Sequence, residues 1–253
     1  MSSVLLHALV VAIGSALTVL AGAAFSKRWA RRLKGTALND VLSSYVSVIG
    51  TLYAVLLAFV LLSVWEQYDT AQGAADREGS QLSDLVRLTA GLPDPAASQL
   101  RDAIREYTSA VVDEEWNAMA TGGRSERADR AIDKLWKLMV AIDPADSPRG
   151  LAVYNQALER LRSASDSRQD RLSQARPSVQ GVIWILLIGG GVLTLAATYC
   201  FDASAGIYLP VNAGLTLMIA FILYLVFAFD HPFSHDVGAS PDALRGVMDL
   251  LRR

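Results

Sequence analysis

The chain has 253 residues, of which 52% are hydrophobic and only 19% charged, with a formal net charge of −2 and a mean hydropathy of +0.31. This is too apolar on average for an ordinary soluble domain, and no nucleic-acid partner is expected. A single cysteine, Cys200, leaves nothing to staple by an intrachain disulfide.

Four stretches free of Asp, Glu, Lys and Arg stand out: Val4 to Phe25, Val41 to Trp65, Gly181 to Phe201 and Ile207 to Phe229. A helix needs about 20 apolar residues to cross a hydrocarbon core of about 30 Å, and each stretch is long enough. The segment Met1 to His7 lacks the basic residues of a signal peptide, although Ala21-Gly-Ala23 has some likeness to a cleavage site, so the first stretch is read as a retained helix. Between the first two stretches, the loop 26–40 carries Lys27, Arg28, Arg31, Arg32 and Lys34 against Asp40 alone, a net of +4. Short basic loops stay on the cytoplasmic side. Four crossings then place residues 66–180 on the opposite face of the cell membrane.

The segment 66–180 holds 19 acidic and 15 basic residues and reads as helices throughout. Up to Leu92 only Gly73 and Gly79 interrupt the pattern, so the second span should continue as one long helix, with Trp65 and Tyr68 at the membrane interface. Asp94-Pro95 has the form of a capping carboxylate before a first-turn proline, and Leu100, Ile104, Tyr107 and Val111 follow at helical spacing. Gly122-Gly123 ends that helix. Ser125 opens the next, whose apolar face is Ile132, Leu135, Leu138 or Met139, and Ile142, and Pro144 stops it. After Ser147-Pro148, Leu151, Tyr154, Leu158 and Leu161 keep a heptad-like beat that fades at Ser165 and Arg168. This helix is expected to run on toward the third span with a bend at Pro177.

Few residues offer chemistry. No nucleotide loop, nucleophile elbow or zinc-finger spacing occurs, so no catalytic, cofactor-binding or metal residue is assigned and no enzyme is expected. His231 and His235 are four apart, but Pro232 opposes the regular helix that would bring the imidazoles together; a membrane-exit turn is the simpler reading. Asp113-Glu114-Glu115-Trp116 reads as a solvated acidic helix face. In the second span Ser43, Ser47, Gly50, Ala54 and Ala58 form a stripe of small and hydroxyl residues, which serves either close helix packing or an ion path. Gly14, Thr18 and Gly22 in the first span, and Gly189-Gly190-Gly191 in the third, are further small stripes. No acid or base sits mid-span, so proton-coupled transport has no visible machinery.

The text Gly50-Thr-Leu-Tyr53-Ala-Val-Leu-Leu-Ala-Phe59, followed by Val64-Trp65-Glu66-Gln-Tyr68, resembles the bestrophin-like family catalogued as domain of unknown function 4239. The likeness continues at Glu78, at Asp84-Leu-Val-Arg87 with Gly91-Leu-Pro93, at Arg105-Glu-Tyr107, at Glu114-Glu115-Trp116, and at Asp230-His-Pro232-Phe233-Ser234. His235 stands where family members often have glycine. The resemblance implies a multi-pass, mostly bacterial membrane protein. Its name implies similarity to bestrophins, pentameric anion channels with four membrane helices per subunit. The expected fold class is therefore all-α: transmembrane helices 1 and 2 in 1–65, an extramembrane helical bundle in 66–180, transmembrane helices 3 and 4 in 181–229, and a C-terminal tail in 230–253. The expected function is an oligomeric ion channel or channel-like protein, with the lipid bilayer, a second copy and inorganic ions as partners and no cofactor. The alternative is a non-conducting scaffold or sensor whose extramembrane domain binds a partner.

Overall fold

A computed structural model describes residues 36–143, 148–199, 205–234 and 238–252, the side chains of 36–42 and 205–208 apart. The first predicted span, the basic residues Lys27 to Lys34, His7, Cys200 and His235 lie outside the described residues. All regular elements among the described residues are helical. The chain divides into two compact units, one of residues 1–66 and 178–230 and the other of 67–177 and 231–253.

Helix α1, Thr36–Leu88, is continuous for 53 residues, as the absence of a strong breaker predicts. Its N-terminal part belongs to the first unit together with α6 (Gly181–Thr198) and α7 (Ala205–Asp230). Among the described residues three helical segments, Ser43–Gly91, Gly181–Thr198 and Leu209–Asp230, are long and apolar enough to cross a membrane. Large side chains on them, such as Phe59, Ile185 and Met218, remain more than 60% exposed; such an apolar exterior suits a lipid solvent and not water.

The glycines of α6 have a definite task. Tyr53 of α1 is buried and donates its hydroxyl to the Leu187 carbonyl at 2.9 Å. A Cβ on Gly190 would lie 2.6 Å from the Tyr53 ring, and one on Gly191 would lie 2.9 Å from its hydroxyl, whereas one on Gly189 would meet nothing within 4 Å among the described residues. Two of the three glycines therefore make room for one aromatic side chain, the close approach that small residues permit in membrane helices. Between α6 and α7, Thr198 donates to the Asn212 side-chain oxygen at 2.6 Å.

The second unit contains the rest of α1, a 3-10 turn Thr89–Gly91, α2 (Ala96–Ala110), a π-helical turn Val111–Glu115, α3 (Trp116–Met119), α4 (Glu126–Val140), α5 (Pro148–Ser173) and α8 (Asp242–Arg252). The predicted face Leu100, Ile104, Tyr107, Val111 is fully buried, and on α4 it is Met139, not Leu138, that joins the core. Each such buried side chain contributes about 1.5–3 kcal/mol by leaving water. Ser125 caps α4, its hydroxyl accepting from the amides of Arg127 and Ala128 at 3.2 and 3.3 Å.

Several expectations are corrected here. Asp94 does not cap α2: the Asp94–Pro95 peptide is cis and the helix begins at Ala96 with no side-chain cap. Helix α5 does not bend at Pro177 but ends at Ser173, before it. Within the C-terminal tail, residues 242–252 form α8, which buries Leu244 and Val247 in the unit's core. Gly79 of α1, which sequence treats as an isolated interruption, makes this docking possible: a Cβ there would lie 2.7 Å from Ala243 of α8.

Candidate functional site

The second unit encloses a cluster of charged side chains that the apolar pattern does not announce. Along α1 the inward positions Ala71, Ala75, Glu78, Leu82 and Leu85 recur at steps of four and three, and Glu78 is completely buried among them. Along α5 the inward positions are Ala157, Leu161, Ala164, Arg168 and Arg171, at steps of four, three, four and three. The beat thus does not fade after Leu161 but passes to two arginines.

The run from α2 through the π turn into α3 supplies the third line, Tyr107, Val111, Glu115 and Met119, each four residues apart and each buried. In a regular α-helix a four-residue step drifts by about 40°, so such a line would rotate away from the core. The π turn at Val111–Glu115 widens the helix locally and offsets that drift. Glu115 consequently faces inward while Asp113 and Glu114 stay exposed. The expected solvated acidic face is correct for those two residues and wrong for Glu115.

Arg171 lies at the centre. Its Nε donates to Glu78 Oε2 at 2.7 Å, its Nη2 to Glu115 Oε1 at 2.9 Å and to Glu78 Oε1 at 3.3 Å, and its Nη1 to the Met119 sulfur at 3.1 Å. Arg168 Nη2 donates to Glu115 Oε2 and, at 2.8 Å, to Asp129 Oδ1 of α4. The Tyr107 hydroxyl donates to Glu78 Oε1 at 2.5 Å. The guanidinium carbon of Arg171 lies 5.7 Å from the Trp116 ring centre, and Trp116 meets Phe233 edge-on at 5.2 Å.

Burial alone would raise the Glu115 carboxyl, but the hydrogen bonds and charges of Arg168 and Arg171 hold it below its usual value. Tyr107 is pushed well above its ordinary range, first by burial and then by the charge of Glu78. Both arginines are held in the charged state by these carboxylates, whose attraction outweighs the cost of burial. All four carboxylate oxygens of Glu78 and Glu115 accept hydrogen bonds. The cluster therefore acts as a clamp joining α1, α2, α4 and α5 and leaves neither glutamate free as a base.

Of the residues singled out in the sequence, Glu78, Tyr107, Glu115, Trp116 and Phe233 converge here. Phe233 packs with Ala71, Met119, Ala175 and Ala239, and Pro232 and Ser234 belong to the turn beside it, where the Ser234 amide and hydroxyl donate to the His231 carbonyl at 3.1 and 3.0 Å. Residues scattered over more than 150 positions thus form one assembly. A family model of the Bestrophin-like domain matches residues 13–244, most of the chain. The chain belongs to the bestrophin-like family. It matches no curated protein and no solved structure.

Of the remaining bestrophin-like motif positions, Tyr53, Trp65, Glu66 and Asp230 lie in the first unit. Tyr53 is buried as described, Trp65 is half-exposed and meets Phe229 edge-on at 5.1 Å, and Glu66 is exposed. Asp230 is buried, and its Oδ1 accepts from the amides of Ser178 and Val179 at 2.8 and 3.0 Å, just before α6 begins. A carboxylate at a helix N-terminus is favourably placed against the helix dipole. The stripe of α1 is not drawn into this unit's interior: Ser43, Ser47, Ala54 and Ala58 are exposed and Gly50 is partly so, while the buried face is that of Tyr53, Leu57 and Val64. A Cβ on Gly50 would meet nothing within 4 Å among the described residues. Sequence reasoning missed Arg168, Arg171, Asp129 and Met119. Among the described residues no group of three or more His, Cys, Asp and Glu side chains converges as a metal site requires.

Proposed function

We propose that this bestrophin-like membrane protein is an oligomeric ion channel, not an enzyme, and that the face of α1 bearing Ser43, Ser47, Gly50, Ala54 and Ala58 lines the ion path between subunits. Four spans, the first being Val4 to Phe25, cross the cell membrane, with the loop 26–40 cytoplasmic and residues 66–180 on the other side as an extramembrane bundle. The observation that supports conduction is the exposure of this α1 face among the described residues of its own chain, in a segment otherwise hydrophobic enough for a bilayer. The hydroxyls of Ser47 and Thr51 donate back to the carbonyls of Ser43 and Ser47 at 2.9 and 2.7 Å. Each hydroxyl oxygen keeps acceptor capacity for water or an ion. A single bundle fills its centre with side chains, so a shared axis between copies is required for conduction.

The test is flux from liposomes containing the purified protein, assayed separately for chloride and potassium. Flux of one ion that is lost in Ser47→Phe and Gly50→Phe supports the reading. Silence for both ions from folded, oligomeric protein overturns it. The second reading, a sensor whose extramembrane unit binds a partner, is favoured by a polar cavity in that unit, lined by Arg124 and Arg176.

A further inference from the structure

The second unit has an open cavity of about 540 Å³, walled by the Gly122-Gly123 turn after α3, by Arg124, and by Gln169, Ser173 and Arg176 at and beyond the end of α5. That volume lies within the range of small-molecule sites. Among the described residues, two arginines and no acidic residue line it, the nearest carboxylate to Arg124 being its ion-pair partner Asp129. The Arg176 guanidinium carries no hydrogen bond or ion pair among the described residues, although its backbone carbonyl is fixed by Gln67 at 3.1 Å. Gly122, at φ +72°, brings the turn against the Arg176 stem, since a Cβ there would lie 3.7 Å from Arg176 Cγ. Gln169 adds an amide donor to the same wall.

From this arrangement we infer that the cavity binds a phosphoryl anion, clasped between Arg124 and Arg176. Guanidinium groups match phosphate oxygens with paired, charge-assisted hydrogen bonds, and two arginines on the wall of one cavity suit a dianion better than a single carboxylate. The site is also wired to the buried clamp. Arg124 Nε lies 2.9 Å from Asp129 Oδ2, and Asp129 Oδ1 holds Arg168 at 2.8 Å. A phosphoryl group that recruits Arg124 therefore competes with Asp129 for it and alters the partner of Arg168. This inference goes beyond the channel reading and is tested by binding alone, so failure of conduction leaves it standing.

The phosphoryl group can come from a soluble phosphate or from a lipid headgroup. Full-length protein in detergent is titrated by calorimetry with inorganic pyrophosphate and, separately, with a short-chain phosphatidic acid. Arg124→Ala and Arg176→Ala are compared with Arg87→Ala, which removes an exposed arginine paired with Asp84 and absent from the cavity wall. Saturable binding of pyrophosphate, weakened about tenfold or more by each cavity substitution and unchanged in Arg87→Ala, supports a soluble phosphate. Tighter binding of the lipid with the same mutational pattern supports a headgroup as the source of the same group. Hydrogen exchange on each variant confirms its fold, and Arg176→Gln keeps the length and polarity of the side chain should Arg176→Ala disturb the turn. Binding of neither probe, binding that survives both cavity substitutions, or an equal loss in Arg87→Ala overturns the inference.

Discussion

Replacing Arg171 with methionine keeps most of the side-chain volume and removes the charge at the centre of the clamp. Glu115 would keep Arg168 and the Ser125 amide, at 3.2 and 3.4 Å. Glu78 would keep only the Tyr107 hydroxyl among the partners described above, and its side chain has no solvent exposure. Stranding a buried carboxylate in this way costs about 3–5 kcal/mol. The double variant Glu78→Gln/Arg171→Met removes both charges, and since a buried ion pair seldom gives much net stability over a neutral pair of similar shape, it should recover at least half of that loss. Native-state hydrogen exchange of the full chain in detergent reads the effect locally, on peptides from α2 and α5. The single variant should speed exchange there by about two to three and a half orders of magnitude, while peptides of α6 and α7 hold their rates. A change of less than about tenfold, or a double variant no better protected than the single, would refute the view that Arg171 neutralises a carboxylate with no other adequate partner.

The second unit should also lose stability at both ends of the pH scale. The lowered Glu115 carboxyl contributes stability above the ordinary carboxylate range that is lost as pH falls toward its folded value, whereas the raised Tyr107 contributes stability below about pH 10 that is lost as pH climbs toward its own. Protection factors on α2, followed across that range and corrected for intrinsic exchange, should show a plateau with two falling limbs, and a flat acid limb would contradict the Glu115 assignment. In the first unit, Gly190→Ala should loosen α1 from α6, because the new methyl would sit 2.6 Å from the Tyr53 ring, while Gly189→Ala should leave thermal stability within about 0.5 kcal/mol of the parent; equal midpoints for the two variants would remove the packing explanation. For sidedness, single cysteines placed at Gly35 and Ser125 in a Cys200→Ala background should differ in intact cells: an impermeant reagent is expected to label position 125 and spare position 35, and the reverse pattern would invert the topology.

The membrane character and the main helices could be read directly from the sequence, because long uncharged runs and apolar spacing are local properties of the chain. Leu100, Ile104, Tyr107 and Val111 are spaced for one helix face whatever they pack against, and Ser125 announces a cap by its own chemistry. Family membership was likewise legible in short motifs. The role of those motifs was not. Glu78 sits in register between Ala75 and Leu82, and Arg168 and Arg171 continue the register of Leu161 and Ala164, but a pattern that counts only apolar residues takes each of them for an exposed charge. Burying any one alone would be prohibitive, and only the packing of α1, α2 and α5 side by side supplies the opposite charge that makes burial tolerable. The same holds for Glu115, whose inward direction depends on a π turn that no residue type specifies. Gly79 and Gly190 show the complementary case: the sequence marks a missing side chain, and tertiary structure alone decides that Ala243 and Tyr53 occupy the space.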